Sequence, residues 1–310
     1  MKLKVVGTLA YDSIISEFGS RKNIFGGSAT YFALSSSYWA SEVRITGAIG
    51  TDFNRSDLEI LSSRKINIEG VENLNLKTFR WEGKYESDSP NDAKTLGNSI
   101  IRGEPNVLDS YKPSLFAKHE NLEENYSLFL ANTDPLHQLD LLNQMKKRAE
   151  LIGLDTMDFW IKNSPNKVKN LLPKIDVLVI NENEAKLLTN KNSLKNCLDD
   201  LSDMGTKRMV IKLGNYGLLY SSTTARFFLP AIPVEQVTDP TGAGDSFAGG
   251  FMGYLSTVEN LSEKDFKEAC IIGTVMASFC VEDFGINRLL NLSNKDIEER
   301  KKLLMSLISI

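Results

Sequence analysis

Six short segments of the chain are rich in apolar and β-branched residues that run nearly continuously instead of alternating with polar ones. They lie at residues 3–9, 43–49, 127–131, 151–155, 176–180 and 209–213. A strand of this kind is buried on both faces, as in a parallel sheet covered by helices. Segments with helical spacing of apolar residues separate the strands, for example 139–149 and 194–204. The pattern predicts a mostly parallel α/β sheet.

Residues 78–86 differ from these segments because aromatic and charged side chains alternate strictly along them. Phe79, Trp81 and Tyr85 share one face, and the charged residues Arg80, Glu82, Lys84 and Glu86 share the other. Alternation predicts a strand with one buried face. Turn-forming residues at 87–92 and a second candidate strand at 94–101 complete a hairpin. We interpret it as a small β-sheet lid, whose aromatic face packs against the main layer, packs against a partner subunit or contacts a ligand.

The composition of the chain excludes several classes of protein. The 310 residues include 36 Lys and Arg against 40 Asp and Glu, which gives a net charge of -4 and argues against a nucleic-acid partner. The three cysteines lack the spacing of a disulfide framework or a zinc site, so we expect a reducing, cytoplasmic environment. The apolar segment 270–281 is shorter than the ~20 residues of a membrane span and predicts a buried helix, with no membrane partner.

The most informative segment is 239–245, which reads D-P-T-G-A-G-D and precedes apolar residues at helical spacing. A helix beginning near Gly242–Gly244 would direct unpaired N–H groups and the positive end of its dipole at an anion such as phosphate. The carboxylate of Asp245 in the same turn would repel that anion, so a base that accepts a proton explains it better. The plain alternative is a capped helix in which Asp245 only complements the dipole.

This segment resembles the C-terminal signature of the PfkB (ribokinase-like) carbohydrate and nucleoside kinases. Four further motifs of that family stand in the expected order. Asp12 follows the first strand and precedes Gly26-Gly27, and G-A-I-G-T-D occupies 47–52. Residues 181–184 are similar to the N-x-x-E motif, and 212–217 to a K-x-G-x-x-G turn. The resemblance implies one α/β domain over residues 1–310, a three-layer α/β/α sandwich with a lid formed by segments at about 12–25 and 74–103.

The resemblance also implies roles for individual residues. Asp245 would be the catalytic base, and the amides of Gly242, Ala243 and Gly244 would form an anion hole. Asp12, Gly26 and Gly27 would bind the phosphate acceptor. On the lid, Arg80 is a further candidate for an acidic or hydroxyl-rich acceptor, although an exposed strand charge is the commoner reason for such a residue.

The remaining implied roles concern ATP and ions. Asn181 and Glu184 would organise Mg²⁺ and phosphate through water. Lys212, Gly214 and Gly217 would border the nucleotide. Some members of the family bind a monovalent cation such as K⁺ beside the anion hole. Asp239, the cofactor-binding residue Thr241 and the loop around Gly285 stand at those positions.

These observations predict an ATP- and Mg²⁺-dependent kinase that phosphorylates an alcohol group of a small sugar. A nucleoside (adenosine-like) kinase and a non-catalytic nucleotide or sugar sensor are the alternatives. Residues 28–31 read S-A-T-Y where many sugar kinases have a polar pattern with asparagine, so the sugar contacts cannot be carried over. Tyr31, Phe79 and Trp81 could stack on a base or pack in the protein. The aromatic lid face also predicts a lid-to-lid homodimer.

Overall fold

The structure is a computed structural model that describes residues 1–86, 89–112, 125–145 and 147–308. Side chains of 89–93 are not among the described ones. The first two residues of the predicted turn at 87–92 and His119 lie outside the described residues.

The strands of the described chain form two sheets. In chain order they are β1 (Lys2–Val6), β2 (Ala10–Ser16), β3 (Gly19–Gly26), β4 (Val43–Gly50), β5 (Ile66–Leu74), β6 (Arg80–Glu86), β7 (Ser89–Asn98), β8 (Tyr126–Leu130), β9 (Leu151–Leu154), β10 (Val177–Asn181), β11 (Arg208–Lys212), β12 (Leu218–Ser222) and β13 (Arg226–Leu229). The large sheet has the order β13-β12-β11-β10-β9-β8-β1-β4-β5. From β5 to β11 neighbouring strands are parallel, whereas β12 and β13 are antiparallel additions at one edge. The predicted mostly parallel sheet is confirmed.

Helices connect these strands. They are α1 (Ser28–Ser36), α2 (Arg55–Ser63), α3 (Pro135–Gln144), α4 (Asp158–Asn163), α5 (Pro165–Leu171), α6 (Glu182–Thr189), α7 (Leu194–Asp203), α8 (Ala243–Leu255), α9 (Glu263–Cys280), α10 (Asn287–Leu290) and α11 (Asn294–Ile308). The helix predicted at 139–149 is wrong at its C-terminal end, because Met145 has an extended backbone with ψ of 120°. Ala149 is buried in the connection that leads to β9, so its apolar character reflects core packing and not helix periodicity.

Helices cover both faces of the large sheet. Along β10, Val177 and Val179 belong to one buried cluster, while Leu178 and Ile180 belong to another on the opposite face. The first cluster includes residues of α1, α8 and α9, and the second includes residues of α5, α6 and α7. Since successive side chains of a strand point to opposite faces, the two clusters form the two interfaces of an α/β/α sandwich.

The second sheet has the order β3-β2-β6-β7, and we call it the lid sheet. The predicted hairpin is present as the antiparallel pair β6 and β7, although β7 begins at Ser89, before the predicted start at Lys94. Strand β2 runs parallel to β6, and Asp12 is paired with Trp81. Asp12 and Trp81 therefore share one face of the lid sheet, and Tyr11 and Arg80 share the other.

None of the helices in the described ranges combines the length and apolar character that a bilayer span needs.

Candidate active site

The segment 239–245, which we call the glycine turn, leads directly into α8. Gly242 is the N-cap residue of α8 and has a left-handed backbone with φ of 76°. A Cβ atom on Gly242 would come within 2.4 Å of the Tyr31 ring, so glycine is required by conformation and by space. The amide of Ala243 donates a hydrogen bond to the carbonyl of Pro240 at 3.1 Å, which tightens the turn. The first turn of α8 thus presents the positive end of a helix dipole where the sequence predicts an anion hole.

Asp245 lies in the first turn of α8. Burial and the nearby charge of Asp155 raise the pKa of Asp245 to about 7, even though the charge of Lys212 acts in the opposite direction. A carboxyl group with a pKa near neutrality can both accept and release a proton during turnover. The environment of Asp245 therefore suits the predicted base.

Asp12 lies on β2 and is only 4% exposed. Burial, followed by the charge of Asp239, raises the pKa of Asp12 to about 7, and the charge of Asp245 contributes in the same direction. A Cβ atom on Gly26 would lie 2.0 Å from a carboxylate oxygen of Asp12, and Gly27 has φ of 94°. Gly26 is therefore needed beside the Asp12 carboxylate, and Gly27 is needed for its left-handed backbone and its close approach to the backbone of Thr8. The predicted acceptor residues Asp12, Gly26 and Gly27 do lie together.

Lys212 ends β11, and its Nζ lies 3.0 Å from Oδ2 of Asp155. Asp155 follows β9, two positions away from β11 in the sheet. The same Nζ would be 2.8 Å from a Cβ atom placed on Gly244. Lys212 therefore reaches the glycine turn. Sequence reasoning missed Asp155 by treating it as the last residue of a strand, although a carboxylate at the C-terminal end of a parallel strand is a signal for a ligand site.

Asn181 and Glu184 form a capping box at the start of α6. The Asn181 side chain accepts a hydrogen bond from the Glu184 amide, and the Glu184 carboxylate accepts one from the Asn181 amide, both at 2.8 Å. Burial and the charge of Asp155 raise the pKa of Glu184 to about 8, while Lys212 acts in the opposite direction. The N-x-x-E motif thus has a structural role in capping, and it also places a carboxylate beside Asp155 and Lys212.

Gly214 and Gly217 shape the connection between β11 and β12. Gly217 has φ of 101°, and a Cβ atom there would lie 2.0 Å from the carbonyl oxygen of Leu229. The close approach of the chain leading out of β13 therefore requires this glycine. Contact of Gly214 and Gly217 with a nucleotide stays a prediction.

Asp239 is fully buried and joins the glycine turn to the loop that contains Gly285. Its carboxylate accepts hydrogen bonds from the amides of Thr241 and Gly285, each at 2.9 Å. The carbonyl of Thr241 accepts a hydrogen bond from the thiol of Cys280 at 3.4 Å. The residues predicted to surround a monovalent cation are thus brought together, and binding of the ion stays a prediction.

Arg80 lies apart from these residues, on the opposite face of the lid sheet from Asp12. Its guanidinium forms an ion pair with Asp52 at 2.8 Å and donates a hydrogen bond to Asn23. A cavity of about 350 Å³ lies there, lined by Tyr11, Asn23, Phe25, Asp52, Asn54, Asp57 and Arg80. The structure therefore does not bring Arg80 together with Asp12 and Asp245, and its acceptor role stays a prediction.

Comparisons with known proteins identify the family of the chain. Residues 4–291 match the model of the pfkB family carbohydrate kinases. The chain is 31% identical to a cytidine kinase of Thermococcus kodakarensis over 85% of this chain and 91% of that protein. It is 25% identical to an ATP-dependent 6-phosphofructokinase of Thermoanaerobacterium thermosaccharolyticum over 79% of each chain.

A solved structure shows the same fold. Aminoimidazole riboside kinase from Salmonella enterica, complexed with aminoimidazole riboside and an ATP analog, superposes with a TM-score of 0.78 at 17% identity. The match covers 98% of this chain and all of that one. The chain therefore belongs to the pfkB family of carbohydrate kinases, and it is an ATP-dependent phosphotransferase.

Proposed function

We propose that the protein transfers the γ-phosphoryl group of ATP to an alcohol group of a small sugar, with Asp245 as the general base. The acceptor oxygen forms a bond to the γ-phosphorus while the bond between that phosphorus and the β–γ bridging oxygen breaks, and ADP leaves. The proton of the acceptor hydroxyl passes to Asp245. The amides at the start of α8 stabilise the charge on the transferring group.

The observation that carries this proposal is the position of Asp245 in the first turn of α8. It is the last residue of the glycine turn, in which position 242 has room and a backbone conformation only for glycine. The same short segment holds a carboxyl group with a pKa of about 7 and a helix N-terminus that attracts phosphate. A base and an anion site that are adjacent in space are what phosphoryl transfer to an alcohol requires.

The residues around Glu184 suit Mg²⁺. The Asn181 side chain and the Glu184 carboxylate offer oxygen ligands, which Mg²⁺ prefers, and the ion usually keeps several waters and takes few protein ligands. No group of three or more acidic, cysteine or histidine residues in the described ranges is arranged to hold a metal. When bound, Mg²⁺ would neutralise charge on the phosphates.

A monovalent cation such as K⁺ is part of the proposal at Asp239, Thr241 and Gly285. The cation would bind carbonyl oxygens of the two loops that the Asp239 carboxylate joins. The contact between the Cys280 thiol and the Thr241 carbonyl is a weak hydrogen bond that an ion could displace. Turnover in potassium, sodium and choline salts at equal ionic strength tests this part, and equal rates in all three would contradict it.

A nucleoside acceptor is a second candidate, and the position of Trp81 favours it. Trp81 is paired with Asp12 in the lid sheet, where neighbouring strands lie about 4.8 Å apart. A Cβ atom on Gly83 would come within 2.1 Å of the indole, so the ring lies against the strand at Gly83. Trp81 keeps part of its surface exposed, and its Nε1 donates a hydrogen bond to Thr95 at 3.3 Å. A flat aromatic surface beside the acceptor carboxylate suits a base.

The test is ADP release from ATP with a panel of sugars and nucleosides, with Asp245→Asn as the inactive control. Phosphorylation of a sugar in preference to its nucleosides supports the first candidate. Preferential phosphorylation of a nucleoside that is weakened by Trp81→Ala, but not by the remote Trp39→Ala, supports the second. Thermal stabilisation by ligands without any turnover would favour the sensor and contradict both.

The lid-to-lid homodimer is also part of the proposal. Ile15 and Phe18, on and just after β2, are 37% and 44% exposed, respectively. Apolar side chains exposed on a small sheet and the turn beside it favour contact with a second copy. Light scattering of the purified protein tests it, and a monomeric mass at micromolar concentration would contradict it.

A further inference from the structure

The ammonium group of Lys212 lies between a carboxylate and the glycine turn. On one side is Asp155, with 3.0 Å between Nζ and Oδ2. On the other side is Gly244, where a Cβ atom would be only 2.8 Å from Nζ. The Asp155 side chain is 8% exposed and that of Lys212 is 19% exposed, so the pair is mostly withdrawn from water, with part of the lysine still accessible.

Carboxylates surround this ammonium group. The charges of Asp155, Glu184 and Asp245 all act on Lys212. Three carboxylates and one ammonium group would repel a triphosphate unless positive charge is directed at it. In the described part of the chain, Lys212 is the cation whose charge acts on both Glu184 and Asp245.

We propose that Lys212 is a catalytic residue that donates hydrogen bonds from Nζ to the transferring phosphoryl group, and that Asp155 is the positioning residue that holds Nζ against the glycine turn. This inference rests on the proposed phosphoryl transfer to an alcohol. Lys212 stays protonated throughout, because the proton of the acceptor hydroxyl goes to Asp245 and the bond that breaks is the one to the β–γ bridging oxygen. The ammonium group acts where negative charge is redistributed in the transition state.

The ion pair explains why a lysine is held at this point. A lysine side chain is a flexible stem with a compact charge, and its entropy opposes a single position. The bond to Asp155 offsets that entropy and fixes Nζ at the turn. A substituent at Gly244 would displace Nζ, so the glycine turn and the lysine position depend on each other.

The experiment compares Lys212→Met and Asp155→Asn with the matched control Lys207→Met in steady-state kinetics. Lys207 precedes β11, lies at the opposite end of the strand and is 62% exposed, and its Nζ is 3.9 Å from Asp176. We expect Lys212→Met to lower kcat by about 100-fold, as loss of a transition-state donor does, with the acceptor KM nearly unchanged. We expect Asp155→Asn to lower kcat by about 10-fold through loss of position. Lys207→Met should retain the wild-type kcat.

The pH profile of kcat separates this role from a purely structural ion pair. The charge of Lys212 lowers the pKa of Asp245, and the charge of Asp155 raises it. The acidic limb of the profile should therefore move to higher pH in Lys212→Met and to lower pH in Asp155→Asn. Loss of packing alone would not move the two variants in opposite directions.

Each outcome decides the inference. If Lys212→Met keeps the wild-type kcat and only the KM for ATP rises, Lys212 contributes to nucleotide binding alone and the inference is overturned. If Lys212→Met does not fold, Lys212→Gln, which also removes the charge, takes its place, and unchanged pH profiles in both Lys212→Gln and Asp155→Asn overturn the inference. If the wild-type protein phosphorylates no acceptor, the proposed function itself fails and the inference fails with it. The assay of the wild-type protein shows this before any variant is made.

Discussion

The hydroxyl of Thr241 donates a hydrogen bond to the hydroxyl of Tyr85, with 3.1 Å between the two oxygens. Thr241 belongs to the glycine turn, and Tyr85 lies near the end of β6 on the same lid face as Trp81. The lid sheet is thus attached directly to the segment in which we place phosphoryl transfer. This contact therefore joins the lid sheet to the proposed site.

Replacing Tyr85 with Phe removes the hydrogen bond and keeps the ring. Because a hydrogen bond of this kind contributes about 0.5–1.5 kcal/mol, we expect kcat/KM for the acceptor to fall by about 2- to 10-fold. Hydrolysis of ATP without an acceptor should rise, since a less firmly closed lid admits water. Coupled assays of ADP release with and without acceptor measure both effects. Tyr254→Phe is the control because Tyr254 lies at the C-terminal end of α8, far from the glycine turn, and equal behaviour of the two variants would argue against the contact.

Asp245→Asn tests the general base. The amide is isosteric but cannot accept the proton of the acceptor hydroxyl, so we expect kcat to fall by about 10²- to 10⁴-fold while ATP still binds. Steady-state kinetics and calorimetric titration with ATP separate the two quantities. A kcat within a factor of three of the wild type would exclude the assigned role.

The same substitution should stabilise the ligand-free protein in a pH-dependent manner. Because burial raises the pKa of Asp245 from 3.8 to about 7, the folded state binds an extra proton between these values. Protonation of Asp245 therefore stabilises the folded wild-type protein. This stabilisation is fully present below pH 4 and is lost as the pH rises through 7. Asp245→Asn should therefore unfold at nearly the wild-type temperature at pH 4 and at a higher temperature than the wild type at pH 8. The corresponding gain in free energy of unfolding at pH 8 is up to about 4 kcal/mol. Thermal melts across this range measure the difference, and a gap that narrows with rising pH would contradict the assignment.

Tyr31 carries a hydroxyl that is buried without a hydrogen-bond partner in the described structure. A buried unsatisfied polar group costs about 1–3 kcal/mol, so Tyr31→Phe should raise the free energy of unfolding of the ligand-free protein by about 1 kcal/mol. Tyr220→Phe is the matched control, because Tyr220 is an equally buried residue whose hydroxyl donates a hydrogen bond to Glu263 at 2.8 Å. That variant should be destabilised. Urea denaturation measures both changes, and a loss of stability in Tyr31→Phe would show that its hydroxyl has a partner.

Local patterns predicted the elements that are local. Continuous apolar character identified the strands later seen as β1, β4 and β8–β11, and strict alternation identified β6. The periodicity failed after α3, because Met145 has an extended backbone and the buried Ala149 lies in the connection to β9. It also could not place Arg80, because alternation assigns a residue to a face of the strand without saying what that face covers.

The amino-acid sequence by itself determined the buried strands, the hairpin and the glycine turn, since each depends on residues close together in the chain. A left-handed Gly242 before Ala243 is such a local requirement. Only the tertiary structure decided that Lys212 meets Asp155, 57 residues earlier, and that Trp81 stands beside Asp12. Those contacts depend on strand order and on the register between distant strands, and no local periodicity records either quantity.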